Sequence, residues 1–150
     1  MFVHLHVHSH YSLLDSILKI DDLISRTKKN QTRAVALTDH GNLFGAVEFY
    51  QRARAEGVKP IVGCEIYLAP GSRREKERGA HADVYTHLVL LARNQAGYRN
   101  LIRLVSLAYT EGFYYKPRAD KELLARHADG LLCMTACLRS EINRRVLLGE

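Results

Sequence analysis

The chain has 150 residues, enough for one domain that buries about two-thirds of its unfolded surface. Its 47% hydrophobic and 25% charged residues are ordinary for a globular protein, and no run approaches the ~20 apolar residues of a membrane span or an apolar leader behind a basic start, so a cytoplasmic location is expected. A net charge of +6 is compatible with a phosphate-bearing or nucleic-acid partner, and three cysteines without a Cys-x-x-Cys pair argue against a disulfide framework and for a reduced compartment.

The chain opens on His4, His6, His8 and His10, interleaved with Val3, Leu5, Val7 and Ser9. An extended strand to about His8 places alternate side chains on one face, roughly 6.5–7 Å apart. Neighbouring imidazoles at that spacing can hold one metal ion or reach two adjacent ones. His6 and His8 are the best placed. His4 fits a packed supporting role equally well, and His10 falls in a loop. Residues 9–16 read as a polar loop carrying Asp15. Residues 21–29 read as a short helix with Asp21 or Asp22 at its N-terminus, where the dipole favours acid. Residues 33–38 form a short buried strand that stops at Thr38-Asp-His-Gly41.

Asn42 is a candidate cap for the next helix, whose inward face reads as Phe44, Val47, Tyr50 and Ala53. Gly57 ends that helix. A third strand covers 60–68 with Glu65 at its middle, a polar loop covers 71–82, and a fourth strand covers 85–92 with His87 near its start. A helix from Gln95 to about Tyr109 turns Leu101, Leu104, Val105 and Ala108 inward. An aromatic loop (111–118), a short helix (121–127), a fifth strand (130–136) ending at Cys137, and a last helix complete the chain. Five βα units imply an α/β fold built on a parallel sheet or barrel, with working residues near the strand ends.

Each strand then delivers a metal-competent side chain: His6, His8 and Asp15; Asp39 and His40; Glu65; His87; Cys137. Each also has a plain structural role. Asp15 can cap a turn. Asp39 is better suited to holding its loop through backbone hydrogen bonds. Cys137 can be a small buried hydrophobe, as Cys64 and Cys133 are expected to be. Glu65 in an apolar strand needs a metal or a cation to offset its burial. Imidazoles, carboxylates and one thiol suit zinc, manganese or iron, and their number exceeds what one tetrahedral ion requires. Two or three ions follow, a grouping suited to phosphate-ester hydrolysis, with a histidine or a carboxylate able to protonate the leaving group. The basic run 72–78 reads as a solvated loop rather than a nucleic-acid contact. Tyr114 and Tyr115 read as packing against a neighbouring domain rather than as base-stacking platforms.

The segments HLHVHSHYSLLD, ALTDHGNLFGAVEFY, GVKPIVGCEIYL, HLVLLARNQAGYRNLIRL, GFYYKPR and GLLCMTACLRSEI resemble the PHP (polymerase and histidinol phosphatase) domain. TDHGNLFGAVEFY and GYRNL…GFYYKPR look like the branch found at the N-terminus of bacterial DNA polymerase III alpha chains. The resemblance implies a distorted (βα)7 barrel, here truncated to about five βα units, with a site for two to three divalent ions, zinc first and manganese, iron or magnesium as alternatives. It implies His6, His8, Asp15, His40, Glu65, His87 and Cys137 as metal ligands, with His6, His8, Asp15, His40 and Glu65 catalytic, and it demotes Asp39, His4 and His10. The family's later Asp-x-His pair has no counterpart before Glu150, and Ser16 stands where a glycine is usual, so the chain is expected to be the N-terminal part of a longer polymerase. Partners implied are DNA, a proofreading exonuclease subunit and other replisome subunits, and no membrane. Three functions remain in contention: a metal-dependent phosphoesterase or 3′–5′ exonuclease within a polymerase, a non-catalytic docking module, and a stand-alone phosphatase.

Overall fold

The computed structural model describes residues 2–76, 85–136, 138 and 140–149. Its elements in chain order are α1 (Ile20–Lys29), β1 (Ala34–Leu37), α2 (Ala46–Ala55), β2 (Lys59–Leu68), β3 (Thr86–Ala92), α3 (Gln95–Thr110), β4 (Phe113–Tyr114), β5 (Lys116–Ala119), α4 (Lys121–Arg126), β6 (Leu131–Met134) and α5 (Glu141–Leu148). The fold is α/β, as the alternation of periods implies.

Strand β2 is the spine. Its first half pairs in parallel with β1, and its second half pairs antiparallel with β3 (Glu65 opposite Val89, Tyr67 opposite His87). Beyond β3 lies β6, antiparallel, and the end of β2 pairs in parallel with β5. Side chains alternate across the sheet. Cys64 and Ile66 of β2 and Leu90 of β3 pack with Leu101, Leu104 and Val105 of α3 and Leu123 of α4. Fully burying each of those leucines stabilises the fold by about 1.5–3 kcal/mol. Glu65, Tyr67 and His87 therefore fall on the opposite face. A second core joins α1, β1 and α2 through Ile20, Leu23, Ile24, Val35, Leu37 and Phe49.

Helix α3 and its inward residues Leu101, Leu104, Val105 and Ala108 match expectation, and Asn94 caps it by accepting the Gly97 N–H at 2.9 Å. Five expectations need correction. The sheet is mixed rather than parallel, because β2 and β3 are joined without a helix among the described residues, and only a crossover connection makes neighbours parallel. The N-terminal segment runs beside β1 but is not a regular strand. The Ala36 N–H donates to His4 O and the Thr38 N–H to Val7 O, so three residues span two of β1, with a bend at His6. The expected single face of four imidazoles is broken there. Residues 111–118 form not a loop but the β4–β5 hairpin, which turns at Tyr115 with φ +58°. Helix α2 turns Ala46, Phe49 and Ala53 inward, while Phe44, Val47 and Tyr50 are exposed. Asn42 does not cap it; its side-chain oxygen accepts the Phe44 N–H, and its amide donates to the carbonyls of Tyr11 and His40.

Candidate metal centre

Glu65 is the centre of the site. Its side chain is 1% exposed, on the face of β2 away from α3. On one side β1 extends past its end so that His40 pairs with Glu65 directly: the Glu65 N–H donates to Asp39 O and the Gly41 N–H to Glu65 O. On the other side His87 of β3 is the diagonal neighbour of Glu65, within reach of a long side chain. The bent N-terminal segment brings His6 and His8 over the same carboxylate. Gly41, at φ +63°, lets the chain turn closely past Tyr67 and Pro117, where a Cβ would come within 2.9 and 2.8 Å.

The distances define three overlapping groups of donors: His6, His8 and Glu65; His8, Asp15 and His40; His40, Glu65 and His87. Glu65 Oε2 lies 2.5 Å from His6 Nε2, 2.8 Å from His8 Nε2 and 3.9 Å from His40 Nδ1. The two histidine Nε2 atoms are 3.1 Å apart. Glu65 Oε1 faces the other way, 2.7 Å from His87 Nδ1. Asp15 Oδ2, half exposed at the rim, is 3.3 Å from His40 Nε2 and 4.0 Å from His8 Nδ1.

The electrostatics follow from this crowding. Burial pushes the Glu65 carboxyl up, but hydrogen bonds with His6, His8 and His87 outweigh it and hold the group far below the usual carboxylate range. The hydrogen bond to Glu65 raises His6 against the opposing effect of burial. Burial lowers His40, with the Glu65 charge opposing. Burial also pushes the Tyr67 phenol up to about 12. Tyr67 shares the Glu65 face of β2 and stacks on His40 with ring centroids 5.7 Å apart.

A metal fits these donors. His40 Nδ1 is buried without a hydrogen-bond partner, an arrangement that is costly unless something electrophilic meets its lone pair. Glu65 aims its two oxygens at different imidazoles, so donors lie on both sides of it.

The structure thus brings together His6, His8, Asp15, His40, Glu65 and His87; Cys137 lies outside the described residues. His4 is exposed against Phe2, and His10 packs on Tyr11. Asp39 stays out of the cluster and holds its loop: the Ser9 N–H and the Ser12 hydroxyl donate to Oδ1 at 2.7 and 2.6 Å, and the Ser9 hydroxyl donates to Oδ2 at 2.8 Å. Sequence reasoning missed Ser9, Ser12 and Tyr67. Only the two-residue spacing of Tyr67 from Glu65 on one strand pointed to any of them. The basic run also differs from expectation, because Arg73 is buried and ion-paired with Glu111 and Asp120 rather than solvated.

Comparison with known proteins finds close relatives of this chain. The PHP domain family profile matches residues 4–150. A Borreliella burgdorferi protein named DNA polymerase III subunit alpha is 51% identical over 149 residues, which cover 99% of this chain and 13% of that protein. The Thermus aquaticus protein of the same name is 52% identical over 149 residues, covering 97% of this chain and 12% of its own length. The chain thus spans only 13% and 12% of these two relatives. Among solved structures, an amidohydrolase from Chromobacterium violaceum, with bound sulfate and no metal, aligns over 71% of this chain and 33% of its own at TM-score 0.52 and 25% identity. A candidate metal-dependent phosphoesterase from Bifidobacterium adolescentis aligns over 71% and 32% at TM-score 0.51 and 18% identity, a likeness of fold. On the profile match and the donor cluster together, the chain belongs to the PHP domain family.

Proposed function

We propose that this chain is the metal-dependent phosphoesterase region of a bacterial DNA polymerase III alpha subunit, hydrolysing phosphodiesters in the manner of a 3′–5′ exonuclease. The observation that carries the reading is the convergence of His6, His8, His40 and His87 on one buried, ionised carboxylate. His6, His8 and Glu65 would hold one divalent ion, and His40, His87 and Glu65 would hold another. The family resemblance adds Cys137 as a ligand. Asp15 and His40 face a third position at the open rim. Zinc suits this mixture of imidazole, carboxylate and thiol best, with manganese, iron and magnesium as alternatives. Such ions supply an activated water near neutral pH and neutralise the phosphoryl oxygens. The chain's own residues do the rest. Glu65 fixes the spacing of the imidazoles, Asp15 offers the accessible edge where a phosphate enters, and Asp39 holds the loop that leads to Asp15.

A second reading, a docking module for the polymerase and its proofreading exonuclease, rests on the exposed apolar residues Phe44, Val47 and Tyr50 of the α2 segment, beside Tyr109 and Phe113. DNA and replisome subunits are the partners in either case, in the cytoplasm. Among the described residues no helix is long and apolar enough to cross a membrane.

Metal content of the purified chain, measured beside His8→Ala, tests the proposal. About two or more equivalents of zinc or manganese, reduced in the variant, with manganese- or zinc-dependent release of nucleotides from single-stranded DNA, is the expected result. A folded chain that takes up no metal overturns the catalytic reading and leaves docking.

A further inference from the structure

We propose that Ser12 is a positioning residue that keeps hydrogen on His8 Nδ1, so that His8 offers only Nε2 to a metal and serves a single ion of the cluster. The inference rests on the metal-binding reading above.

Ser12 is buried, 1% exposed, in the turn between the histidine segment and Asp15. A hydroxyl has one hydrogen to give and two lone pairs to fill. The hydrogen goes to Asp39 Oδ1, at 2.6 Å the shortest contact the hydroxyl makes. No other direction satisfies both groups, because a carboxylate only accepts. The lone pairs of Ser12 Oγ then face two nitrogens, the His40 backbone N–H at 3.1 Å and His8 Nδ1 at 3.1 Å. A backbone N–H can only donate. His8 Nδ1 must donate as well, since an unprotonated Nδ1 would set lone pair against lone pair with the serine hydrogen already committed. Hydrogen on Nδ1 leaves Nε2 as the ligand atom, and Nε2 is the atom aimed at His6 Nε2 and Glu65 Oε2.

Asp39 is fixed in its own turn. Besides Ser12 it takes the Ser9 N–H at 2.7 Å and the Ser9 hydroxyl at 2.8 Å, so the carboxylate that orients Ser12 is itself immobile. A relay runs from Asp39 through Ser12 to His8, and the same hydroxyl steadies the backbone of His40. The Asp15 and Ser16 N–H groups both donate to Ser12 O, so the turn that aims Asp15 is built on the same residue.

This has a consequence for how ions are shared. His8 Nδ1 lies 4.0 Å from Asp15 Oδ2, which on distance alone would let His8 serve the ion at the Asp15–His40 edge. With Nδ1 given to Ser12, that edge keeps only Asp15 and His40 from this group, and its ion is the most weakly held of the cluster.

The test compares the chain, Ser12→Ala and Ser12→Thr. Long-range proton–nitrogen NMR on 15N-histidine-labelled, zinc-loaded protein reads which nitrogen of His8 bears hydrogen, and a competition titration with a zinc chelator reads affinity. The wild type is expected to show hydrogen on His8 Nδ1 and zinc on Nε2. Ser12→Ala is expected to weaken the tightest zinc about ten- to a hundredfold and to broaden the Nδ1–H signal through solvent exchange. Ser12→Thr, which keeps the hydroxyl, is expected to restore both. Zinc on His8 Nδ1 in the wild type, or a Ser12→Ala chain with unchanged affinity and an unchanged Nδ1–H signal, overturns the proposal. Should Ser12→Ala fail to fold, the wild-type spectrum decides alone. If the wild type takes up no zinc, the metal reading fails separately, and the metal-free spectrum still tests Ser12: a His8 Nδ1 without hydrogen overturns its role.

Discussion

Cys64 on β2 is fully buried between the sheet and α3, where its thiol donates to Asp39 O at 3.3 Å and burial pushes its pKa far up. Cys133 lies on β6, exposed, and burial raises it as well, but its sulfur meets solvent. Thiolate is the reactive form, and access decides the rest. A thiol reagent at about pH 8 is therefore expected to label Cys133 in the folded chain and to spare Cys64 until denaturant is added, as read by peptide mass spectrometry. Equal labelling of Cys64 in the folded chain would mean that β2 and α3 separate in solution. Both cysteines read as core residues in the sequence. Only Cys64 is one, because β6 pairs with β3 along one edge and leaves its own residues partly open. His8 and His40 were legible from a strand-end context, and Glu65 from the cost of a carboxylate inside an apolar strand. Ser12 was not legible, because a serine in a polar loop carries no signal of the aspartate that meets it twenty-seven positions later.

Helix α2 shows why an element can be legible while its orientation is not. Phe44, Val47, Tyr50 and Ala53 are spaced as a helical face, and so are Ala46, Phe49 and Ala53. Periodicity cannot choose between two apolar stripes on one helix; the packing partner does. Here Phe49 enters the core between Ile24 of α1 and Val35 of β1, and the bulkier stripe is left outside. Phe49→Ala is expected to cost about 3–5 kcal/mol, measured by urea denaturation. Val47→Ala and Tyr50→Ala, at 61% and 51% exposure, should each fall within about 0.5 kcal/mol in the isolated chain. A Tyr50→Ala loss as large as that of Phe49→Ala would mean that α2 is rotated from the orientation described. The N-terminal segment makes the same point for a strand. Alternation of histidines predicted a common face, but the mismatch of three residues against two of β1 keeps only His6 and His8 at the site.

At the scale of the molecule, the direction of the strands was written in the connections. Residues 71–82 read as a loop, and strands joined without a crossover helix run antiparallel, so the β2–β3 pairing was available from the sequence but hidden by the regular βα count. The tie that holds this arrangement was not available. Arg73, in the loop after β2, directs one edge of its guanidinium to Glu111 at the end of α3 and gives Nη1 and its backbone N–H to Asp120 at 2.9–3.0 Å. Asp120 also caps α4 by accepting the Leu123 N–H at 2.8 Å. Two loops and two helices thus meet at one buried carboxylate. Burial pushes Asp120 up, yet the hydrogen bonds and the Arg73 charge outweigh it and leave the group below its ordinary value of 3.8. A carboxyl with a folded pKa below its unfolded one contributes its full stabilisation above the unfolded value, and that contribution is lost as pH falls through the folded one. Asp120→Asn is therefore expected to lower stability by about 1.5–3 kcal/mol at neutral pH, since it removes one of the two carboxylates that meet the buried Arg73 and leaves Glu111. It should also flatten the decline of stability with acid below about pH 4, because the group that took up the proton is gone. Urea midpoints of the wild type and the variant, taken from pH 7 down to pH 3, read both effects. An acid limb as steep in the variant as in the wild type would assign acid sensitivity to other carboxylates of the chain, Glu65 among them, and would leave Asp120 as a helix cap alone.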